Sequence, residues 1–171
     1  MESLALQAAA SLAAVMHKDQ KYGETEPYVL HLSSVVEVLQ RFNVTDESIL
    51  VAGWLHDVVE DTPMKVETLG MIFGEAVSKL VYAVTNESGK NRKERHDKTY
   101  PKMIGNPDAI RLKLADRIAN VEYSLENKSK QLEMYKKEYS GFREKLFDET
   151  HKELASMWRH LDFLIGEPDG Q

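Results

Sequence analysis

The sequence predicts an all-α fold, and three observations predict it. Apolar residues recur at spacings of three and four along most of the 171 positions. Gly and Pro fall where those apolar stretches end. No convincing strand, internal repeat or interdomain linker breaks the pattern, so residues 1–171 are expected to form one domain with one substantial core.

Leu4, Ala8, Leu12, Val15 and Met16 define a first helix that ends near His17. Lys18 to Tyr28 is polar, carries Gly23 and Pro27, and reads as a loop. A second helix runs from about Leu32 to Phe42 with His31 at its entrance. Thr45 is the expected N-cap of a third, with Asp46 and Glu47 in the first turn where the helix dipole favours acids. That helix carries the apolar run Leu50 to Leu55 into His56-Asp57-Val58-Val59-Glu60-Asp61-Thr62 and stops at Pro63. Leu69, Ile72 and Phe73 belong to a short helix closed by Gly74, and Val77, Leu80, Val81 and Val84 to the next. Asn86 to Lys102 reads as a polar segment. Asn106-Pro107-Asp108 starts a helix continued by Ile110, Leu114, Ile118, Val121 and Leu125. Tyr135 and Tyr139 read as core or interface. Leu154, Met157, Trp158, Leu161, Leu164 and Ile165 form the last helix, closed by Gly166 and Pro168. Trp54 and Trp158 read as core, and His96, His151 and His160 as surface residues.

Composition excludes several classes. A net charge of −6 argues against general nucleic-acid binding. The absence of cysteine removes disulfides, thiolate zinc sites and cysteine nucleophiles. Met1-Glu2-Ser3-Leu4 has no signal-peptide pattern, and no apolar run approaches the roughly 20 residues of a membrane span. A cytoplasmic protein without membrane or nucleic-acid partners is expected. The sequence leaves self-association into a homo-oligomer open.

The chemistry concentrates at His56-Asp57-Val58-Val59-Glu60-Asp61. Adjacent His56 and Asp57 can share one divalent cation through a ring nitrogen and a carboxylate. Glu60 and Asp61 follow one helical turn later, within reach to move protons for a water on that cation. His31, Asp116 and Asn120 are further candidates, Asp116 being an acid among aliphatic residues and Asn120 lying on its helical face. Such N and O donors suit Mn²⁺, Fe²⁺, Co²⁺ or Zn²⁺. Spacing alone does not show that His31, His56, Asp57 and Asp116 converge.

These residues occur in a longer order: His17-x-x-Gln20, Pro27-Tyr28-x-x-His31, Leu55-His56-Asp57-Val58-Val59-Glu60-Asp61-Thr62, Phe73-Gly74, Val84-Thr85, and Lys113-Leu114-Ala115-Asp116-Arg117-x-x-Asn120. In that order the chain resembles the HD superfamily of metal-dependent phosphohydrolases, and most finely the hydrolase domain of RelA/SpoT-type proteins and small alarmone hydrolases. The resemblance spans roughly His17 to Leu125. It implies a compact multi-helix HD-domain bundle, with the motif core at about 17–125 and C-terminal helices over 128–166.

The resemblance further implies that His31, His56, Asp57 and Asp116 bind one catalytic metal, typically Mn²⁺. Glu60 and Asp61 would activate a water and manage the leaving-group proton, and Arg117 and Asn120 would sit beside a small nucleotide substrate. Lys113 can add positive charge against phosphate oxygens. Arg92 and Arg95, in the basic segment, are candidates to hold a polyphosphate. The implied reaction is removal of the 3′-pyrophosphate from (p)ppGpp. A nucleotidase or deoxynucleoside triphosphohydrolase on the same scaffold, and a non-catalytic nucleotide sensor, are the alternatives. One departure bears on the choice. Lys21-Tyr22-Gly23 stands where the family has an Arg-Lys pair against guanine, so Tyr22 is expected to stack on the base instead.

Overall fold

The computed structural model describes residues 3–166. α1 (Leu4–Met16) is capped by Ser3, whose hydroxyl accepts from the Leu6 amide, and ends at His17 as expected. The following segment is not wholly loop. Lys21–Tyr22 (β1) and Glu26–Pro27 (β2) form an antiparallel ribbon, Lys21 opposite Pro27 and Tyr22 opposite Glu26, too short for alternation to reveal. Gly23 turns it at φ +60°, where a Cβ would stand 2.2 Å from the Tyr123 hydroxyl. α2 (Val29–Arg41) begins three residues earlier than expected, which puts His31 inside its first turn.

Asp46, not Thr45, caps α3 (Glu47–Leu55). Its carboxylate accepts from the Ser48 and Ile49 amides at 2.8 and 3.3 Å. Nor does the apolar helix run unbroken to Pro63. It ends at Leu55, turns through His56 and Asp57, and resumes for one turn as α4 (Val58–Asp61). α5 (Val66–Phe73) and α6 (Glu75–Val84) meet at Gly74, as the sequence predicts.

The segment expected to be merely polar holds α7 (Arg92–Thr99) and a 3₁₀ turn, Tyr100–Lys102. Asn91 caps α7 by accepting from the Glu94 amide at 2.9 Å, while Glu94 accepts from the Lys90 amide at 2.9 Å. Lys93–Asp97 and Glu94–Lys98 pairs line its outer side. α8 (Pro107–Glu126) is capped by Asn106 with Pro107 in its first turn. α9 (Gln131–Leu146) and α10 (Ala155–Ile165) complete the described chain, Gly166 ending α10 in the left-handed conformation. The expected closing Pro168 lies outside the described residues.

α8 is the axis, packed against α2, α3, α6, α9 and α10. Leu112, Leu114, Ile118 and Val121 are fully buried on it, each aliphatic side chain contributing about 1.5–3 kcal/mol relative to exposure. That burial carries four polar residues inward with it. Lys113, Asp116, Arg117 and Asn120 recur at three and four and form one stripe along the helix. Gly53 lets α3 lie tightly on α2, since a Cβ there would be 3.0 Å from both Leu39 and Val36 side chains. Among the described residues no helix is long and apolar enough to cross a membrane.

Gly23→Ala forces a side chain into the left-handed region, which costs roughly 1–2 kcal/mol, and drives it into Tyr123. Denaturant unfolding should show a loss of at least that size; wild-type stability would mean the turn re-forms with another geometry.

Candidate active site

Three helix segments bring the central donors together. The first turn of α2 supplies His31, the break between α3 and α4 supplies His56 and Asp57, and α8 supplies Asp116. His31, His56 and Asp116 offer ligand atoms that all lie within 4.8 Å of one another. Asp57 Oδ2 flanks them, 3.1 Å from His56 Nε2 and 3.6 Å from His31 Nε2. Asp116 Oδ1 is 3.4 Å from His31 Nε2 and 3.9 Å from His56 Nε2.

The hydrogen bonds around this group decide what it can hold. His56 Nδ1 is 2.8 Å from the Gly53 carbonyl, which can only accept, so the proton sits on Nδ1. Nε2 is then a bare lone pair, buried without a hydrogen-bond partner and facing carboxylates that are themselves acceptors. Only positive charge reconciles such a set. Burial opposes protonation of His31, yet the bonds and charges of Asp116 and Asp57 outweigh it and raise His31 to about 9. The same contest, led by burial and won by Asp57, raises His56. Burial would raise the Asp116 carboxyl, but Lys113 and the histidines hold it well below the carboxylate range. A divalent cation answers the same demand, and the all-N/O donor set fits one.

A further shell fixes the carboxylates. Tyr28 donates to Asp57 Oδ2 at 2.5 Å. Asn120 Nδ2 donates to Asp116 Oδ1 at 2.6 Å, and Lys113 Nζ to Oδ2 at 2.9 Å. Tyr22 donates to Asn120 Oδ1 at 3.1 Å, its ring wedged between His31 and Tyr123 at centroid distances of 4.9 and 4.2 Å. Tyr22, expected to stack on a base, is 8% exposed here, its ring covered by His31 and Tyr123.

The cluster opens into a cavity of about 240 Å³ with almost purely polar walls. Glu60 and Asp61 face it from α4, Lys113, Arg117 and Asn120 from α8, and Arg92 from α7. Glu60 is held by the Asn86 amide at 3.0 Å and by the Arg95 guanidinium, so Arg95 reaches the site through Glu60 rather than from the cavity wall. Asp61 accepts from Gln20 Nε2 at 2.9 Å, and Gln20 in turn accepts from His17 Nδ1 at 2.6 Å. Burial, then the charges of Asp57 and Glu60, raises the Asp61 carboxyl despite the Gln20 bond. A larger cavity, about 750 Å³, lies between α7 and α9, but none of the residues predicted for the site lines it.

The cavity is also lined by residues not singled out for it in the sequence, among them Asn86, His96 and Tyr135. His96 is 7% exposed and lines the cavity, not the surface. The signal was available, since the Asn91-x-x-Glu94 cap starts a helix on which Arg92 and His96 share a face. Asn86 carries no local signal at all.

Fold and donor set together define a class: an all-helical chain built around a buried His/His/Asp group able to hold one divalent cation. The HD domain pattern matches residues 9–141, and the chain belongs to that family. It is 36% identical over 121 residues to guanosine-3′,5′-bis(diphosphate) 3′-pyrophosphohydrolase of Aquifex aeolicus, covering 68% of this chain and 17% of that protein. It is 34% identical to the Drosophila melanogaster 3′-pyrophosphohydrolase MESH1, covering 64% of this chain and 63% of the relative. This chain therefore spans a small part of the long relatives and just under two thirds of MESH1. A solved structure described as a metazoan ortholog of SpoT that hydrolyses ppGpp superposes with a TM-score of 0.78 at 27% identity, covering 97% of this chain and 96% of that one.

Burial, then the cations Arg92, Arg117 and Lys113, lowers the His96 pKa to about 4. An unfolded imidazole takes its proton near 6.5. The folded-state pKa is thus depressed: stability is full above about 6.5 and falls as pH drops toward 4, because the unfolded chain gains the proton first. His96→Asn should flatten that stretch, whose slope from one group is at most about 1.4 kcal/mol per pH unit. Unfolding of both proteins at pH 4.5 and 7 checks this; identical pH dependence would assign the loss to other groups.

Proposed function

We propose that this chain is a (p)ppGpp 3′-pyrophosphohydrolase that uses one divalent cation, Mn²⁺ in the first instance. The observation that carries the reading is the buried donor group beside an acid pair, opening on a polar cavity lined by Arg92, Lys113 and Arg117. The relatives named for this reaction, and the whole-chain likeness to a ppGpp hydrolase, support it.

His31, His56, Asp57 and Asp116 would hold the cation. When bound, it polarises a phosphoryl oxygen and lowers the pKa of a coordinated water. The chain's own residues supply the rest. Asp61, whose carboxyl burial raises, is suited to take the proton from the attacking water. Glu60, pinned by Asn86 and Arg95, orients that water or the leaving oxygen. Attack on the 3′-linked phosphorus breaks its bond to the ribose 3′ oxygen, which takes up a proton, and pyrophosphate leaves. Asn120 and Lys113 lie beside Asp116, where the reacting phosphate belongs. Arg92 and Arg117 would receive the 5′ phosphates.

Asp57→Ala should lose both stoichiometric metal and turnover while keeping its helical circular dichroism; turnover surviving in a chelator-treated sample would overturn the metal assignment. Glu60→Gln and Asp61→Asn should retain metal, measured by elemental analysis, and lose about 10²–10⁴-fold in rate. Loss of metal in either would move that residue into the coordination sphere. The substrate is tested by comparing ppGpp with deoxynucleoside triphosphates and nucleoside monophosphates under one Mn²⁺ condition. Pyrophosphate and GDP from ppGpp are expected. Phosphate or triphosphate from a deoxynucleotide, with ppGpp untouched, would hand the chain to the nucleotidase alternative.

A further inference from the structure

We propose that Glu138 is a positioning residue, holding Arg92 and Arg117 as an aligned pair of guanidinium donors for the diphosphate of a nucleotide. Glu138 stands on α9, after the last of the sequence motifs at Asn120, and touches none of the cluster residues through a hydrogen bond. Its two carboxylate oxygens are divided between two helices. Oε1 accepts from Arg92 Nε of α7 at 2.5 Å, and Oε2 accepts from Arg117 Nη1 of α8 at 3.0 Å. Both arginines line the catalytic cavity, whereas Glu138 lines the larger cavity behind them. The acid is at the back and the cations are at the front.

Two guanidiniums side by side repel and would splay. A carboxylate between them removes the repulsion and fixes both planes. Each arginine commits one of its five N–H groups to Glu138, so donors remain for ligand oxygens. The Tyr135 ring backs the pair, its centroid 5.9 Å from Arg92 Cζ and 5.0 Å from Arg117 Cζ. Burial works against ionisation of Glu138, but the two arginines keep its carboxyl below the ordinary range, so the bridge is charged. One acid between two bases leaves a net positive wall with fixed geometry, which is what bidentate recognition of a phosphate needs. Arg117 follows Asp116 and so leaves the helix about 100° round from it, which would suit it to a different phosphate from the one Asp116's metal group would take.

The nature of the nucleotide rests on the function proposed above, and the test separates the two. The Mn²⁺-loaded full chain is compared as wild type, Glu138→Gln, Glu138→Asp, Arg92→Gln and the Glu138→Gln/Arg92→Gln double variant. With ppGpp, Glu138→Gln should raise KM about tenfold, the scale of one charge-assisted hydrogen bond, with kcat nearly unchanged. Glu138→Asp, which keeps the charge, should fall between it and wild type, and it stands in should the Gln variant fail to fold. The double variant should be worse than Arg92→Gln by clearly less than the factor Glu138→Gln costs alone, since the share acting through Arg92 is already lost and only the hold on Arg117 remains to be removed. Calorimetry should show that the advantage of GDP over guanosine shrinks by a similar factor in Glu138→Gln. An unchanged KM and GDP advantage would make Glu138 a plain helix tie. Tighter binding would make it a competing counter-ion, and additive effects with Arg92→Gln would uncouple it from the arginine. Each of these overturns the proposal. If wild type leaves ppGpp intact, the alarmone reading fails, while the GDP comparison still decides for Glu138.

Discussion

Acceptors facing acceptors in a buried space is the constraint on which the rest of this structure depends. His56 gives its one ring proton to the Gly53 carbonyl and turns a bare nitrogen toward Asp57 and Asp116. In water such a group would be trivial; inside a protein it requires a cation. The local departures from regular structure follow from building it. α3 breaks at His56 so that the ring can fold back onto Gly53. α8 stays buried on its aliphatic sides while presenting one polar stripe. α2 starts early, which sets His31 on a firm first turn rather than in a loop.

The ribbon at Lys21–Tyr22 and Glu26–Pro27 shows how the surroundings brace that centre. Each strand is only two residues long, yet the ribbon brings two tyrosines, in edge contact with each other, to two carboxylates of the cluster. Tyr28 donates directly to Asp57, and Tyr22 acts through Asn120 on Asp116. In this structure the Tyr22 ring is taken up by the support of the acid. Partners of this kind orient the donors, and their removal is felt in metal affinity by about 10–100-fold.

Much of this was legible in sequence, for identifiable reasons. The stripe Lys113, Asp116, Arg117, Asn120 follows from helical spacing in an apolar run, and His56-Asp57 announced itself as charge at the end of a core helix. What spacing does not encode is convergence, because His31, His56 and Asp116 come from three separate segments and meet only through tertiary packing. α7 escaped notice because it has no apolar face; caps and i,i+4 charge pairs hold it, and periodicity does not register those. The ribbon was too short to alternate. Thr45 and Asp46 are both good caps, and only the backbone decides that Asp46 bonds the first amides. Glu138 sits in an amphipathic helix whose acids otherwise face solvent, and nothing in its neighbourhood distinguishes it.

Charge balance links the two ends of the cavity. Four carboxylates line it, those of Asp57, Glu60, Asp61 and Asp116, against three permanent cations, Arg92, Lys113 and Arg117. Left so, the space is slightly negative and would repel a phosphate ester. Protons on the histidines offset part of this, but at the expense of the lone pairs that make the group a ligand set. A dication at the cluster does both things at once: it satisfies the facing acceptors and turns the cavity positive overall. On the reading proposed here, cation and anionic substrate are therefore coupled by electrostatics alone. The arginines, braced from behind, need only supply geometry at the far end, because the attraction arrives with the metal.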